Sequence, residues 1–122
     1  MNFYKCNKCG NIIEVVEGEA KRITCCGEEM QKLNANDTDG AKEKHVPVYK
    51  VENDKIIVSV GEVIHPMEQD HYISFIAIVS GNKITRVNLL PGEAPIATFE
   101  YQKGSIIYEY CNKHGLWKNE VK

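Results

Sequence analysis

Four of the five cysteines lie in two short clusters near the N-terminus, with spacing that is typical of metal binding. Cys6-x-x-Cys9 precedes a glycine, and so does the adjacent pair Cys25-Cys26. A tight turn that ends in glycine can present two thiolates together and turn backbone N–H groups toward the sulfur atoms. Four thiolates in two pairs suit a tetrahedral zinc or iron ion. Adjacent cysteines cannot form the second C-x-x-C turn of an ordinary zinc ribbon, so we expect a distorted tetrahedron.

These four cysteines have two other interpretations, a structural zinc clip and a pair of redox thiols. A redox C-x-x-C motif usually opens a helix in a thioredoxin-like unit. Here the following segment, "GNIIEVV", has the composition of a strand. This favours a metal site, and the spacing alone leaves zinc and iron both open.

The fifth cysteine and the four histidines form a second group of possible ligands. Cys111-x-x-His114 is a compact chelating pair, and His45, His65 and His71 lie at predicted strand boundaries or turns. Zinc is satisfied by four donors. Five mixed nitrogen and sulfur donors leave one open position on a six-coordinate ion, which suits iron and redox chemistry on a small molecule. The alternative is four unrelated surface histidines.

The elements that must position these residues are predicted to be strands. The cysteine-dense N-terminal segment has two brief β-like runs, "IIEVV" and "KRIT", and too few large apolar residues to fold without a metal. The polar stretch "NANDTDGAKEKH" is interpreted as a linker. We therefore divide the chain into a small domain, residues 1–36, and a larger one, residues 37–122.

The larger domain has the pattern of an all-β sandwich. From residue 46, six or seven short runs alternate with turn signals, without a helical period. In "HYISFIAIV" both faces are apolar, as expected of a strand with neighbours on each side. If these runs pair, the stretches that carry the histidines and Cys111 can converge on one edge of the sandwich. The predicted runs are "VPVYKV", "KIIVSVG", "HYISFIAIVSG", "KITRVNLL", "IATFEY" and "SIIYEY".

Composition restricts the classes of function. The 122 residues carry a net charge of −2 with a pI of about 6.1, so a broad basic surface for nucleic acid is not expected. No apolar run approaches the roughly 20 residues of a membrane span. The start, "MNFYKCNKCG", lacks the pattern of a secretory signal, so we expect a cytoplasmic protein with reduced thiols.

Two rival functions come from other classes. A zinc-ribbon module that binds nucleic acid or a protein predicts zinc and a basic patch, which the charge does not favour. An electron-transfer protein that uses only the four N-terminal cysteines leaves Cys111 and the histidines without a role.

Taken together, the motifs resemble the desulfoferrodoxins, the two-iron class of superoxide reductase. The resemblance spans nearly the whole chain, in the order of the family, and every metal-binding position matches. All four N-terminal cysteines are present, which distinguishes this class from single-iron relatives. The matching stretches are "YKCNKCGNIIEVV", "CCGEEM", "DGAKEKHVPV", "HPMEQDHYI", "LLPGEAP" and "EYCNKHGLWK".

The resemblance implies two irons per chain and a role for each site residue. Cys6, Cys9, Cys25 and Cys26 would hold an iron–tetrathiolate centre like that of desulforedoxin. Cys111 would be the axial thiolate of the catalytic iron, and the equatorial ligands of this iron would be His45, His65, His71 and His114. Glu43 would be the carboxylate that occupies the open position when the iron is oxidised. Lys44 would be the cation that attracts superoxide.

The resemblance also implies a fold, a reaction and partners. The fold is a desulforedoxin-like domain followed by an immunoglobulin-like β-sandwich, usually in a homodimer. The reaction is superoxide plus one electron and two protons giving hydrogen peroxide, with rubredoxin as the external electron donor. Water is expected to supply the protons, since no histidine remains outside the ligand set, and Trp117 is expected to pack beneath Cys111 and His114.

Overall fold

The structure, a computed structural model, describes residues 1–37, 45–61 and 65–122. The chain divides into two compact units, Met1–Asn34 and Ala35–Lys122. Within the described residues every regular element is a β-strand, and no helix there could span a membrane. Glu43 and Lys44 lie outside the described residues. The strands are β1 (Phe3–Lys5), β2 (Ile12–Glu14), β3 (Thr24–Cys25), β4 (Glu28–Glu29), β5 (Gln31–Lys32), β6 (Pro47–Glu52), β7 (Lys55–Val60), β8 (Ile73–Ser80), β9 (Lys83–Asn88), β10 (Ile96–Glu100), β11 (Ile106–Cys111) and β12 (Gly115–Glu120).

The first unit consists of very short strands. β2, β1 and β5 form an antiparallel sheet, and β3 pairs with β4 in a separate hairpin. Of its apolar side chains only Phe3, Cys6 and Met30 are buried among the described residues. β2 covers the first three residues of the predicted strand "IIEVV". The predicted strand "KRIT" is mostly wrong, since β3 shares only Thr24 with it. So small a core is consistent with a unit that depends on its cysteines.

The second unit is the predicted β-sandwich. One antiparallel sheet has the strand order β10-β7-β6, and the other has the order β12-β11-β8-β9. Ile56, Val58 and Val60 of β7 and Ile73, Ile76 of β8 are among the fully buried residues of a single hydrophobic core. The all-β prediction is therefore confirmed.

β8 is the central strand that its composition predicts. It pairs with β11 on one side and with β9 on the other, and its residues from Ile73 to Ile78 are buried apart from Ser74, which is half-buried. Phe75 stacks on Tyr110 of the neighbouring strand, with ring centroids 6.1 Å apart. An apolar strand with neighbours on each side can bury both of its faces.

Short turns set the register of the sheets. Asn53 and Asp54, with φ of 49° and 64°, join β6 to β7 as a two-residue hairpin loop in the left-handed region. This geometry favours asparagine and aspartate, and it matches the twist of the strands. β8 and β9 form the predicted hairpin, in which Ser80 pairs with Lys83. β12 is a strand that was not predicted, since "GLWKNE" has little apolar alternation.

The pairing brings particular strand ends to a common edge. Pro47 at the start of β6 pairs with Val60 at the end of β7. Ile73 at the start of β8 pairs with Cys111 at the end of β11, beside a register shift between Tyr110 and Cys111. The four histidines lie two to five residues beyond these four ends, and their ligand atoms come together, so the ends from the two sheets share one edge of the sandwich.

Candidate metal centres

One candidate centre gathers the five predicted donors of the sandwich. A ligand atom from each lies within 4.8 Å of every other. The Cys111 sulfur is 3.5 Å from Nε2 of His65 and 3.6 Å from Nδ1 of His114. The donors are His45, His65, His71, Cys111 and His114.

The four imidazole rings form a closed cycle. Centroids of neighbouring rings are 4.8 Å apart for His45–His65 and for His65–His71, 5.1 Å for His71–His114, and 4.6 Å for His114–His45. Each pair meets edge-on, with interplanar angles between 61° and 82°. Rings arranged in this way direct their nitrogen atoms toward a common centre.

A backbone carbonyl contacts the ring of His65, and Trp117 contacts the ring of His45 and the backbone of His114. His65 Nδ1 lies 2.8 Å from the carbonyl oxygen of Pro66, so Nδ1 carries the proton and Nε2 is left as the donor atom. Trp117 stacks on His45 at 5.0 Å and 17°, and its indole N–H donates to the carbonyl of His114 at 3.1 Å. Trp117 therefore braces two ligands at once.

Burial gives the centre a closed side and an open side. Cys111 is fully buried, and His45 and His65 are each 3% exposed. His71 is half-buried, and His114 is exposed. A small anion can therefore approach from the side of His71 and His114, while the thiol lies in the protein interior.

The donor set fits an iron ion. An ion bound by imidazole nitrogens at about 2.1 Å, the distance known for zinc, places opposite nitrogens about 4.2 Å apart. The observed upper limit of 4.8 Å between any two donor atoms allows this after a small contraction. Four imidazoles and one thiolate exceed the four donors of a closed zinc site and leave one position of an octahedron open.

The second candidate centre is the four-cysteine cluster of the first unit. The Cys25 sulfur is 3.6 Å from that of Cys9 and 4.0 Å from that of Cys26. A tetrahedron with metal–sulfur bonds of about 2.3 Å has edges of about 3.8 Å, so the sulfur atoms are spaced for an ion. Cys26 has φ 54°, a left-handed conformation that is unusual for a residue with a side chain. This backbone turn allows two adjacent cysteines to face the same centre.

Hydrogen bonds within the cluster shift the pKa values of three of these thiols in different directions. The pKa of the Cys6 thiol is lowered to about 6, mainly by a hydrogen bond from the backbone N–H of Cys9 and further by one from that of Lys8. Hydrogen bonding to the Cys9 sulfur raises the pKa of Cys25, and it raises that of Cys26 to about 12. Without a metal the cluster therefore retains protons, and a bound metal would displace them.

The structure brings together all nine predicted ligands in two groups of four and five. All five cysteines lie within the described residues, and all are free thiols. Two contacts were not predicted from the sequence. The carbonyl of Pro66 meets the ring of His65. The side chain of Asn112 bonds the backbone of Asp70 and Tyr72, on either side of His71. The type of Asn112 marks it as a turn residue, but its partners Tyr72 and Asp70 lie 40 and 42 residues earlier in the chain, so no local pattern identifies them.

Comparison with known proteins matches both units. A family model described as "Desulfoferrodoxin" matches residues 37–120, and one described as "Desulfoferrodoxin, N-terminal domain" matches residues 1–33. The desulfoferrodoxin of Syntrophotalea carbinolica is 50% identical over 121 residues, covering 98% of this chain and 96% of that protein. The superoxide reductase of Pyrococcus horikoshii is 34% identical, covering 76% of this chain and 98% of that protein. The crystal structure of the superoxide reductase from Treponema pallidum superposes with a TM-score of 0.78 at 26% identity, covering 98% of this chain and 97% of that one.

Proposed function

The chain belongs to the desulfoferrodoxin family, and on that premise we propose that it is a superoxide reductase. It reduces superoxide by one electron, with two protons, to hydrogen peroxide. The observation that carries this function is the cluster of four imidazoles and one buried thiol, open to solvent on the side of His114. A pure electron carrier needs no such open position.

These five side chains would hold an iron ion, which would supply the electron and an open position for the substrate. The protein supplies the rest. Cys111 provides a negative sulfur on the closed side, which favours the oxidised state of a metal facing it. Pro66 and Trp117 keep His65 and His45 in place, so that little reorganisation accompanies electron transfer.

Water supplies the protons for the product. All four histidines of the chain are members of the ligand cluster, so no imidazole remains to act as a general acid. The exposed side of His114 admits solvent to the place where the product forms.

The roles of Glu43 and Lys44 rest on the resemblance to the desulfoferrodoxins, to which the run Glu43-Lys44-His45 belongs. We assign Lys44 to the attraction of superoxide, because the chain as a whole is slightly acidic and cannot attract an anion by its net charge. Glu43 would take the open position of the oxidised site and displace the product.

Replacing Lys44 by alanine should slow the capture of superoxide and weaken its dependence on salt. A unit charge about 4 Å from the anion contributes about 1 kcal/mol in a water-like medium and about 4 kcal/mol near a protein surface. We therefore expect capture to slow at least about fivefold at low ionic strength, measured by stopped-flow or pulse radiolysis. Lys103→Ala, in the exposed turn before β11, is the matched control and should behave as the native protein. Unchanged capture across ionic strengths would remove Lys44 from the mechanism.

The partners and location follow from the same proposal. The electron comes from an external donor, for which rubredoxin is the candidate, and the protein acts in the cytoplasm as a homodimer. The four-cysteine centre serves mainly to stabilise the first unit, whose small core supports this role.

A further inference from the structure

Asn112 makes three hydrogen bonds to a segment that is distant in sequence. Its backbone N–H donates to the carbonyl of Tyr72 at 3.1 Å. Its side-chain oxygen accepts from the backbone N–H of Tyr72 at 2.8 Å, and its side-chain nitrogen donates to the carbonyl of Asp70 at 3.0 Å. One residue thus holds both neighbours of His71.

His71 is also held from within its own loop. Its backbone N–H donates to the carbonyl of Glu68 at 3.2 Å, and its carbonyl accepts from the N–H of Glu68 at 2.9 Å. The loop is tied further by the N–H of Ile73, which donates to the sulfur of Met67 at 3.3 Å. Asn112 is the member of this set that connects the loop to the turn carrying Cys111 and His114.

The amide of Asn112 suits the two groups that it meets. Tyr72 presents a donor and Asp70 presents an acceptor, and the amide offers its oxygen to the first and its NH₂ to the second. Aspartate has nearly the same shape, but its carboxylate would face the carbonyl of Asp70 without a proton to donate. Alanine would remove the hydrogen bonds that the amide makes to the N–H of Tyr72 and to the carbonyl of Asp70.

We propose that Asn112 is a positioning residue that fixes His71 relative to Cys111 and His114, so that the two segments present their ligands to the metal as one unit. The proposal rests on the metal centre of the proposed function. Partners outside the ligand set typically change metal affinity or activity by about 10- to 100-fold when they are replaced.

The test compares Asn112→Asp and Asn112→Ala with a matched control, Asn82→Asp, in the exposed turn between β8 and β9. Cobalt(II) is bound to both centres, and its loss to a chelator is followed with the thiolate-to-cobalt absorption band, in which the contribution of the four-cysteine centre is common to all the proteins compared. We expect both Asn112 variants to lose cobalt about 10- to 100-fold faster and to shift the band. The control should match the native protein. Native loss rates and an unshifted band in both Asn112 variants would overturn the proposal.

A second measurement needs no variant. Backbone hydrogen exchange of Tyr72 and Asn112 in the native protein should be slow, whether or not the metal is bound, since each N–H group donates a hydrogen bond to the other residue. Rapid exchange at both would contradict it. Because neither readout involves superoxide, failure of the proposed reaction and failure of this inference remain distinguishable.

Discussion

Replacing Cys111 by serine is expected to abolish the formation of hydrogen peroxide from superoxide. The sulfur is fully buried and lies 3.5 Å and 3.6 Å from nitrogen atoms of two neighbouring ligands. A serine hydroxyl fills nearly the same space but is a poor replacement for a thiolate, so the negative sulfur that would face the metal is lost. Replacing a residue outside the ligand set typically lowers activity by about 10- to 100-fold, and we expect the rate of peroxide formation to fall by more than this.

The measurement is the rate of peroxide formation by the reduced variant, together with its iron content and its circular dichroism. A β-sheet spectrum close to that of the native protein would show that the sandwich core has survived the substitution. Peroxide formation at the native rate by Cys111→Ser would contradict the assignment of this cluster as the catalytic centre.

Replacing Cys9 and Cys26 by serine together is expected to remove one of the two metals and to unfold the first unit. Both side chains are exposed, so the substitution creates no cavity. Structural metals contribute roughly 10–16 kcal/mol to the folding of small zinc-finger peptides, which is more than three buried apolar residues can replace. Metal analysis should give one iron per chain, and residues 1–34 should become sensitive to protease.

The same variant should still form peroxide when it is reduced beforehand. All five donors of the other centre belong to the unit Ala35–Lys122. Loss of single-turnover peroxide formation in this variant would mean that the four-cysteine centre takes part in the reaction. It would then be more than a stabilising element.

Much of the fold was predictable because the relevant signals are local. β8 and its hairpin to β9 follow from an apolar run and a two-residue turn. β12 was missed because Leu116 is its only buried residue, and because the strand exists through its pairing with β11. In the first unit the strands are shorter than their composition suggests, since their length is set by turns that hold the cysteines.

The metal ligands could be predicted from the sequence, but the residues that hold those ligands in place could not. Residue type and spacing mark Cys111 and His114 as a pair, and the count of donors indicates a metal with an open position. The stacking of Trp117 on His45 joins residues 72 positions apart, and that contact depends on strand register rather than on any local pattern. The hydrogen bonds from Asn112 to Tyr72 and Asp70 likewise join distant residues that no local pattern connects.

The most direct test is the yield of hydrogen peroxide per superoxide consumed by the reduced protein, with superoxide limiting. We expect a ratio near one, because each electron comes from the protein and each superoxide becomes peroxide. A ratio near one half would mean dismutation, in which a second superoxide supplies the electron, and it would contradict the assignment as a reductase.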